Sequence, residues 1–389
     1  MEYDVVVVGC GPAGSMAGRA AALHGARTLI VDKKVSIGYP SHCAGGAGGL
    51  SLYLKRLNLE MDPRACVQEI KRFVVYSPSG RATPELGADC TNVDRELFDK
   101  HLAKEAARAG ADIMLNTRVI GLIKENGTVK GIVACSEGSE VRIPAKVVIG
   151  ADKGSIVARS AGLEGPSDHV IFYGYEFVGV KGQDPEVFYT YFGNGFAPGG
   201  THGVQAPRGK DSAHLSTGTY PRLLKQGQSL RGLLRELLRH PVVNGFFEAA
   251  KPVALQSGSC WIGGPVARTV ADGVMLAGDA AGQIWAASGG GITPAMACGN
   301  FAGEVAAEAI QEGDVSQAKL GEYEQRWRST IGRSLFAQLK AKELLQRIGR
   351  SDDLIEKAVR EIGAELVGLS VYGTEEYQKV VGDWLASKP

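Results

Sequence analysis

Two groups of residues near the start of the chain have types and spacing that could do chemistry. The first is Gly9-x-Gly11-x-x-Gly14, which follows four consecutive valines, Val5 to Val8. A β-branched run of this kind marks a buried parallel strand. Gly9 permits the tight turn, Gly11 lets backbone approach a pyrophosphate, and Gly14 allows close helix–strand contact. The helix that follows, from about Pro12 to His24 and closed by Gly25, would aim free N–H groups and its positive end at phosphate, through Pro12, Ala13 and Gly14. A second apolar run, Thr28 to Val31, ends at Asp32, placed to accept from ribose hydroxyls, with Lys33 beside it. Strand, turn, helix, strand and acid together predict a dinucleotide site, without separating FAD from NAD. The second group is His42-Cys43-Ala44-Gly45, a polar and thiol-bearing loop soon after that acid. Cys43 and His42 could hold or pass a proton. No second ligand pair has zinc-like spacing, so no metal is expected.

Residues 94–109 form a helix with Asp94 as cap, Leu97, Phe98 and Leu102 as its apolar face, and Gly110 after its end. Val147–Ile149 and Val274–Leu276 are further buried-strand runs, followed by Gly150-Ala151-Asp152 and Gly278-Asp279-Ala280-Ala281-Gly282. Ser155 and Arg159 follow the first of these. Gly289-Gly290-Gly291-Ile292-Thr293-Pro294 comes next, with Thr293 placed to cap a helix and Pro294 at its first position. Between about 165 and 260 the alternating stretches at 172–178 and 186–192 predict antiparallel strands. From Thr293 onward the chain reads as mostly helical.

These segments resemble the p-hydroxybenzoate-hydroxylase-like flavoproteins, whose FAD-binding pattern includes G-A-D and G-D-A motifs. The resemblance implies FAD, with Asp279 bonding the ribityl chain and Arg95 approaching the diphosphate and ribityl region. The implied cofactor set also takes in Asp152, Val119, Cys43, Ala44, Gly45, Gly278, Gly282, Gly290, Gly291 and Ile292. The glycines at 289–291 would turn N–H groups toward the pyrimidine edge, and the helix after them would stabilise negative charge on the reduced ring.

Within that group the chain is similar to the geranylgeranyl reductase family. The similarity lies in Ile37-Gly38, in the Pro40-Ser41-His42-Cys43-Ala44-Gly45-Gly46 loop, in Gly278 to Ile292, and in a basic helical tail around Tyr323 to Arg350. It implies FADH2-dependent saturation of isoprenoid double bonds, with an apolar prenyl substrate and a separate electron donor: NAD(P)H, ferredoxin or deazaflavin. The family's substrate-domain motif, roughly P-x-x-Y-x-W-x-F-P, falls near Pro198 to Pro207. There Thr201 and Gly203 replace aromatics, and His202 becomes a candidate substrate-side polar group. A flavin monooxygenase and an electron-transfer flavoprotein share the FAD motifs and are the alternatives.

The expected fold is α/β: a Rossmann-like FAD-binding domain (1–75, 91–162 and 263–312) interleaved with an antiparallel-sheet substrate domain (76–90 and 163–262), then a helical C-terminal region (313–389). Composition bounds the rest. The 389 residues carry 43 Lys+Arg against 42 Asp+Glu, a balance that argues against nucleic acid as a partner. Seven scattered cysteines without a C-x-x-C pair predict free thiols in a reducing compartment. No apolar run approaches the length of a membrane span, so the expected location is cytoplasmic, with peripheral membrane contact one use of the tail. From Arg326 to Arg350 that tail holds seven Lys/Arg and one acid, Glu343, with Ile331, Leu335, Phe336, Leu339 and Leu345 at helical spacing. A basic amphipathic helix can lie on an anionic bilayer or pack with a solvated basic rim.

Overall fold

The four valines of the first strand set the architecture, because they point alternately to two different cores. In the computed structural model, which describes residues 2–154 and 156–388, β1 (Tyr3–Val8) is the centre of a sheet. It pairs in parallel with β2 (Thr28–Val31) on one side and β9 (Ser139–Gly150) on the other. β6 (Asp112–Met114) lies outside β2, and β16 (Val274–Leu276) and the short β15 (Val270–Ala271) lie outside β9. Val5 and Val7 face α1 (Pro12–Leu23), α3 (Arg95–Arg108) and α7 (Ile292–Glu312). Val6 and Val8 face α4 (Ile156–Ala161) and the hairpin of β7 (Thr117–Glu125) and β8 (Thr128–Ser136), which continues onto the first half of β9. Covered on both faces, the strand has no use for a polar residue.

The contact between α1 and α7 is unusually close because α7 sets Gly299 and Gly303 against the alanines of α1. A methyl group on Gly303 would come within 2.8 Å of the Ala20 Cβ, and one on Gly299 within 2.8 Å of the Ala13 carbonyl carbon. α3 starts where the sequence predicts: Asp94 accepts from the N–H groups of Glu96 and Leu97. Phe98 and Leu102 are fully buried, but Leu97 is 39% exposed and does not belong to the apolar face. Thr293 is not a cap either. α7 begins at Ile292, and the Thr293 hydroxyl instead donates to the Gly48 carbonyl at 2.7 Å. Ser155 lies outside the described residues.

The second sheet has the order β14-β10-β13-β12-β11-β4-β5-β3. Its strands are β3 (Gly46–Gly48), β4 (Cys66–Tyr76), β5 (Leu86–Val93), β10 (His169–Val178), β11 (Val187–Tyr191), β12 (Gly203–Pro207), β13 (Ser212–Thr219) and β14 (Lys251–Trp261). All neighbours are antiparallel except β11 and β4, which run parallel. The early part of the chain therefore reaches further into this sheet than residues 76–90. β4 and β5 form one ladder from Cys66 to Val93, and β3 adds to it through Gly46 and Asn92. α5 (Leu230–Leu238) and α6 (Pro241–Phe247) cover its outer face through Leu234, Leu237, Val243 and Phe247. α2 (Leu50–Arg56) joins β3 to the rest.

The C-terminal residues form α8 (Gln317–Trp327), α9 (Arg333–Ile348), α10 (Asp352–Glu361), α11 (Gly363–Val371) and α12 (Glu375–Ala386). Ile331, Leu335 and Leu345 are buried in the core, and only Phe336 of the expected stripe is exposed, at 40%. The basic tail is therefore a packed helix with a solvated rim, not a surface-lying one. Lys342 reaches inward from it to the Ile262 carbonyl at 2.8 Å and to Asp168 at 3.3 Å, while Asp168 also holds Arg222. Among the described residues no helix is long and apolar enough to cross a membrane.

Candidate active site

The first strand ends in the expected cradle. Gly9 has φ +100°, and a methyl there would stand 2.7 Å from the Ala151 carbonyl oxygen; Gly14 has no room for one against Gly9. Gly11, by contrast, faces open space. α1 begins with no side-chain cap and no acid in its first turn, although α3, α5, α8 and α10 are all capped by side chains. Its first N–H groups are thus left for an anion. Asp32 braces the turn from the next strand: its carboxylate accepts from Cys10 N–H at 2.7 Å and Lys34 N–H at 2.8 Å. Lys33 is exposed. Asp152 joins the same corner, its amide nitrogen 3.3 Å from a Gly9 methyl position. One Asp152 oxygen caps α4 at Ile156 N–H, and the other is buried without a partner. Desolvation raises its pKa.

The second half of the cradle comes from the chain's far end. Gly278 turns with φ +65° against Ala13, and Gly291 lies against Asp279, whose Oδ1 is 3.6 Å from a methyl position there. Gly282 turns with φ +64° onto Gly264. Trp285 and Gly290 pair through their backbones, Trp285 N–H donating to the Gly290 carbonyl at 2.9 Å. α7 then starts at Ile292, whose side chain is buried, again without a side-chain cap. Two uncapped helices, an open glycine turn, an orphaned carboxylate oxygen and Asp279 thus suit a long, phosphate-bearing, hydroxyl-rich cofactor. Val119 lies in the apolar cluster with Val8 and Val31 and its side chain is only 8% exposed, which leaves its backbone to such a ligand.

The 42–45 loop sits between this cradle and the second sheet. Gly38 packs on the backbone of Arg95 and Glu96, and Val93 N–H donates to the Gly45 carbonyl at 2.9 Å. Arg95 makes two bonds to Asp99, both 2.9 Å, and also reaches the Cys43 thiol. Burial pulls the Arg95 pKa down, but Asp99 and Cys43 outweigh it and the net shift is upward. Cys43 Sγ in turn accepts from Gly45 N–H at 3.3 Å. His42 is exposed and lies over β14, its Cβ 3.3 Å from a methyl position at Gly258. Desolvation, then Lys34, lowers its pKa, so the ring is neutral near pH 7.

Two rings on the inner face of the second sheet and one from the 285–290 turn stand around the loop. Phe188 lies 3.4 Å from a methyl position at Gly46, Phe172 lies 2.9 Å from one at Gly258, and Trp285 lies 3.5 Å from one at Gly48. All three rings are half-buried. Cys260, two residues along β14 from Gly258 and so on the same face, reaches Gly289. Desolvation and the Asp279 charge raise its pKa. None of these four was singled out from sequence. The alternation around Phe172 and Phe188 gave the strands but not which face the cofactor loops would cover. His202 is not brought to the loop. It packs against Phe192 with the rings tilted and centroids 5.6 Å apart, and Gly200, two residues before it, packs on the Leu345 and Gln346 backbone of α9. Desolvation lowers its pKa to about 4.

The fold and this site define an FAD-dependent oxidoreductase. Residues 4–166 match the FAD dependent oxidoreductase family. Digeranylgeranylglycerophospholipid reductase of Methanothrix thermoacetophila is 38% identical over 377 residues, covering 94% of this chain and 92% of its own. The reductase of the same name from Methanocaldococcus jannaschii is 36% identical, covering 95% and 93%. A geranylgeranyl bacteriochlorophyll reductase-like structure from Thermoplasma acidophilum superposes with TM-score 0.87 at 30% identity, over 98% of this chain and 95% of that one. The chain belongs to the geranylgeranyl reductase family. A flavin-dependent brominase, 20% identical with TM-score 0.75, shares the fold.

Proposed function

We propose that the enzyme saturates carbon–carbon double bonds in geranylgeranyl chains carried on a glycerophospholipid. The observation that supports this best is the set of half-buried rings, Phe172, Phe188 and Trp285, standing opposite a loop that presents a thiol beside a fixed guanidinium. Aromatic walls suit an alkene with no polar handle. Reduced FAD, when bound, supplies the hydride. The residues that would hold it are Gly9, Gly11, Pro12, Ala13, Gly14, Asp32, Asp152 and Arg95 with Gly278, Asp279, Gly290, Gly291 and Ile292.

The remaining requirement is a proton for the second alkene carbon. Cys43 Sγ gives it, and Arg95, fixed by Asp99, steadies the thiolate left behind. His42, neutral and at the loop's exposed side, passes a replacement proton from water to Sγ. Phe172, Phe188 and Trp285 would pack on the isoprenoid chain. A lipid substrate also places the working enzyme at a membrane surface. The test is a single turnover: the FAD-loaded protein is reduced anaerobically, mixed with a geranylgeranyl glycerophospholipid, and followed at the oxidised-flavin absorbance. Reoxidation with a product heavier by two hydrogens per bond is expected. No reoxidation, with rapid reaction once oxygen is admitted, would refute the reading.

A further inference from the structure

The outer end of β14 differs from the rest of the protein's surface. Lys251 to Leu255 are exposed residue after residue, on a strand that pairs only with β10 and so forms the free edge of its sheet. Val253 is 61% and Leu255 is 55% exposed. Tyr175 stands opposite Leu255 in the ladder, and its hydroxyl meets that of Tyr173 at 2.6 Å. Arg231, in the first turn of α5, is close enough to act on the Tyr173 hydroxyl. α5 buries Leu233, Leu234 and Leu237 and turns Arg231, Arg235 and Arg239 outward at four-residue spacing.

Arg239 is held by Glu236, but no ion pair engages Arg231, Arg235, Lys225 or Lys251 among the described residues. Glu248 is the other acid on these two elements and their connection. The result is a strip of exposed aliphatics, bordered by tyrosine hydroxyls and backed by uncompensated cations. That is the order of groups met on crossing from acyl chain to anionic headgroup.

We propose that this strip, Lys251 to Leu255 with the Arg231–Arg235 face of α5, seats the protein on an anionic lipid bilayer. Pro252 removes a donor from the free edge, which disfavours a protein partner adding a strand there. The same strand then runs inward. From Leu255 to Cys260 is five steps, roughly 17 Å at the rise of an antiparallel strand. Leu255 lies on the sheet face that carries α5, whereas Gln256, Gly258 and Cys260 lie on the opposite face, toward the 42–45 loop, so a prenyl chain leaving the bilayer would pass around this free edge to reach the site. This entry route rests on the proposed lipid substrate; the seating itself does not.

The test is co-sedimentation of the FAD-loaded full chain with vesicles of phosphatidylcholine, with and without phosphatidylglycerol. Binding only to the anionic vesicles, and release by salt, is expected. At roughly fivefold per basic residue near an anionic surface, Arg231→Gln with Arg235→Gln should weaken partitioning about 25-fold. Leu255→Asp should weaken it too, while Arg347→Gln with Arg350→Gln, beyond the strip, should not. Flavin content and near-ultraviolet circular dichroism check that each variant is folded. Failure of the wild type to bind overturns the proposal. So does wild-type binding by the Arg231/Arg235 variant, which would leave the strip to an acidic protein. Loss on changing Arg347 and Arg350 also overturns it. Binding as expected by a protein that reduces no dispersed geranylgeranyl lipid would sink the proposed reaction and leave the seating intact.

Discussion

Replacing Gly299 by alanine tests whether the cofactor cradle depends on two helices touching backbone to backbone. Helical propensity alone favours the change by about 0.5–1 kcal/mol. The structure opposes it, because the new methyl would lie 2.8 and 2.9 Å from the carbonyl carbon and Cα of Ala13, with the carbonyl oxygen nearer still. Carbon atoms prefer 3.5–4.0 Å, so α1 must retreat by more than half an ångström at its first turn. Overpacking of this kind costs typically 1–3 kcal/mol, and rigid backbone puts the cost at the upper end. The net expectation is a loss of about 2 kcal/mol, with weaker FAD retention, because Ala13 opens the helix that faces the phosphates. Gly321→Ala in α8 is the control: nothing lies within 4 Å of its methyl position, so propensity acts alone and the variant gains about 0.5–1 kcal/mol. Denaturant unfolding of apo and FAD-loaded protein measures both. Equal effects of the two substitutions, with FAD retained, would refute the close-contact argument.

Three other expectations follow from the same geometry. Cys43→Ala should keep its FAD yet slow single-turnover reoxidation by about 10²–10⁴-fold, the range for a lost general acid; wild-type rates would remove the proton role. Lys342→Met should cost about 1–3 kcal/mol in chemical unfolding by leaving the Ile262 carbonyl and part of Asp168 unpaired, with no change in flavin spectrum. Acid should destabilise the fold through two buried histidines. Desolvation holds His202 at about 4, and desolvation with Arg208 holds His214 at about 3. The unfolded chain therefore binds more protons below pH 6.5, and stability present above that pH is lost as pH falls, by up to about 1.4 kcal/mol per unit per histidine. Melting temperature against pH should flatten in His214→Phe, and an unchanged slope would count against the burial.

The parts of the fold governed by short-range rules were legible in the sequence. Four valines, a glycine turn and Asp32 could form little else, and Asp94 caps its helix as its position predicts. What escaped depends on distant partners. Nothing local says that Cys66 to Val93 belongs to the second sheet, because the strand beside it begins at Val187. Thr293 has the composition of a cap, yet Gly48 offers its hydroxyl a partner from the far end of the chain. The tail's helical stripe was correctly spaced, but periodicity cannot distinguish a face turned to lipid from one turned to Trp327 and the neighbouring core. His202 carried chemical promise and packs against Phe192 instead.

The one parallel pairing of the second sheet bears on how the protein is made. β4 is complete at Tyr76, but the strand that covers its edge ends only at Tyr191. At 5–20 residues per second on the ribosome, the Cys66–Tyr76 edge stays open for roughly 6 to 23 s. During that interval the nascent chain displays a strand containing Ile70, Phe73, Val74 and Val75, which other chains could pair with. Expression in a host with scarce chaperones should therefore fail first by aggregation of ribosome-bound chains, before any defect in the finished enzyme is felt.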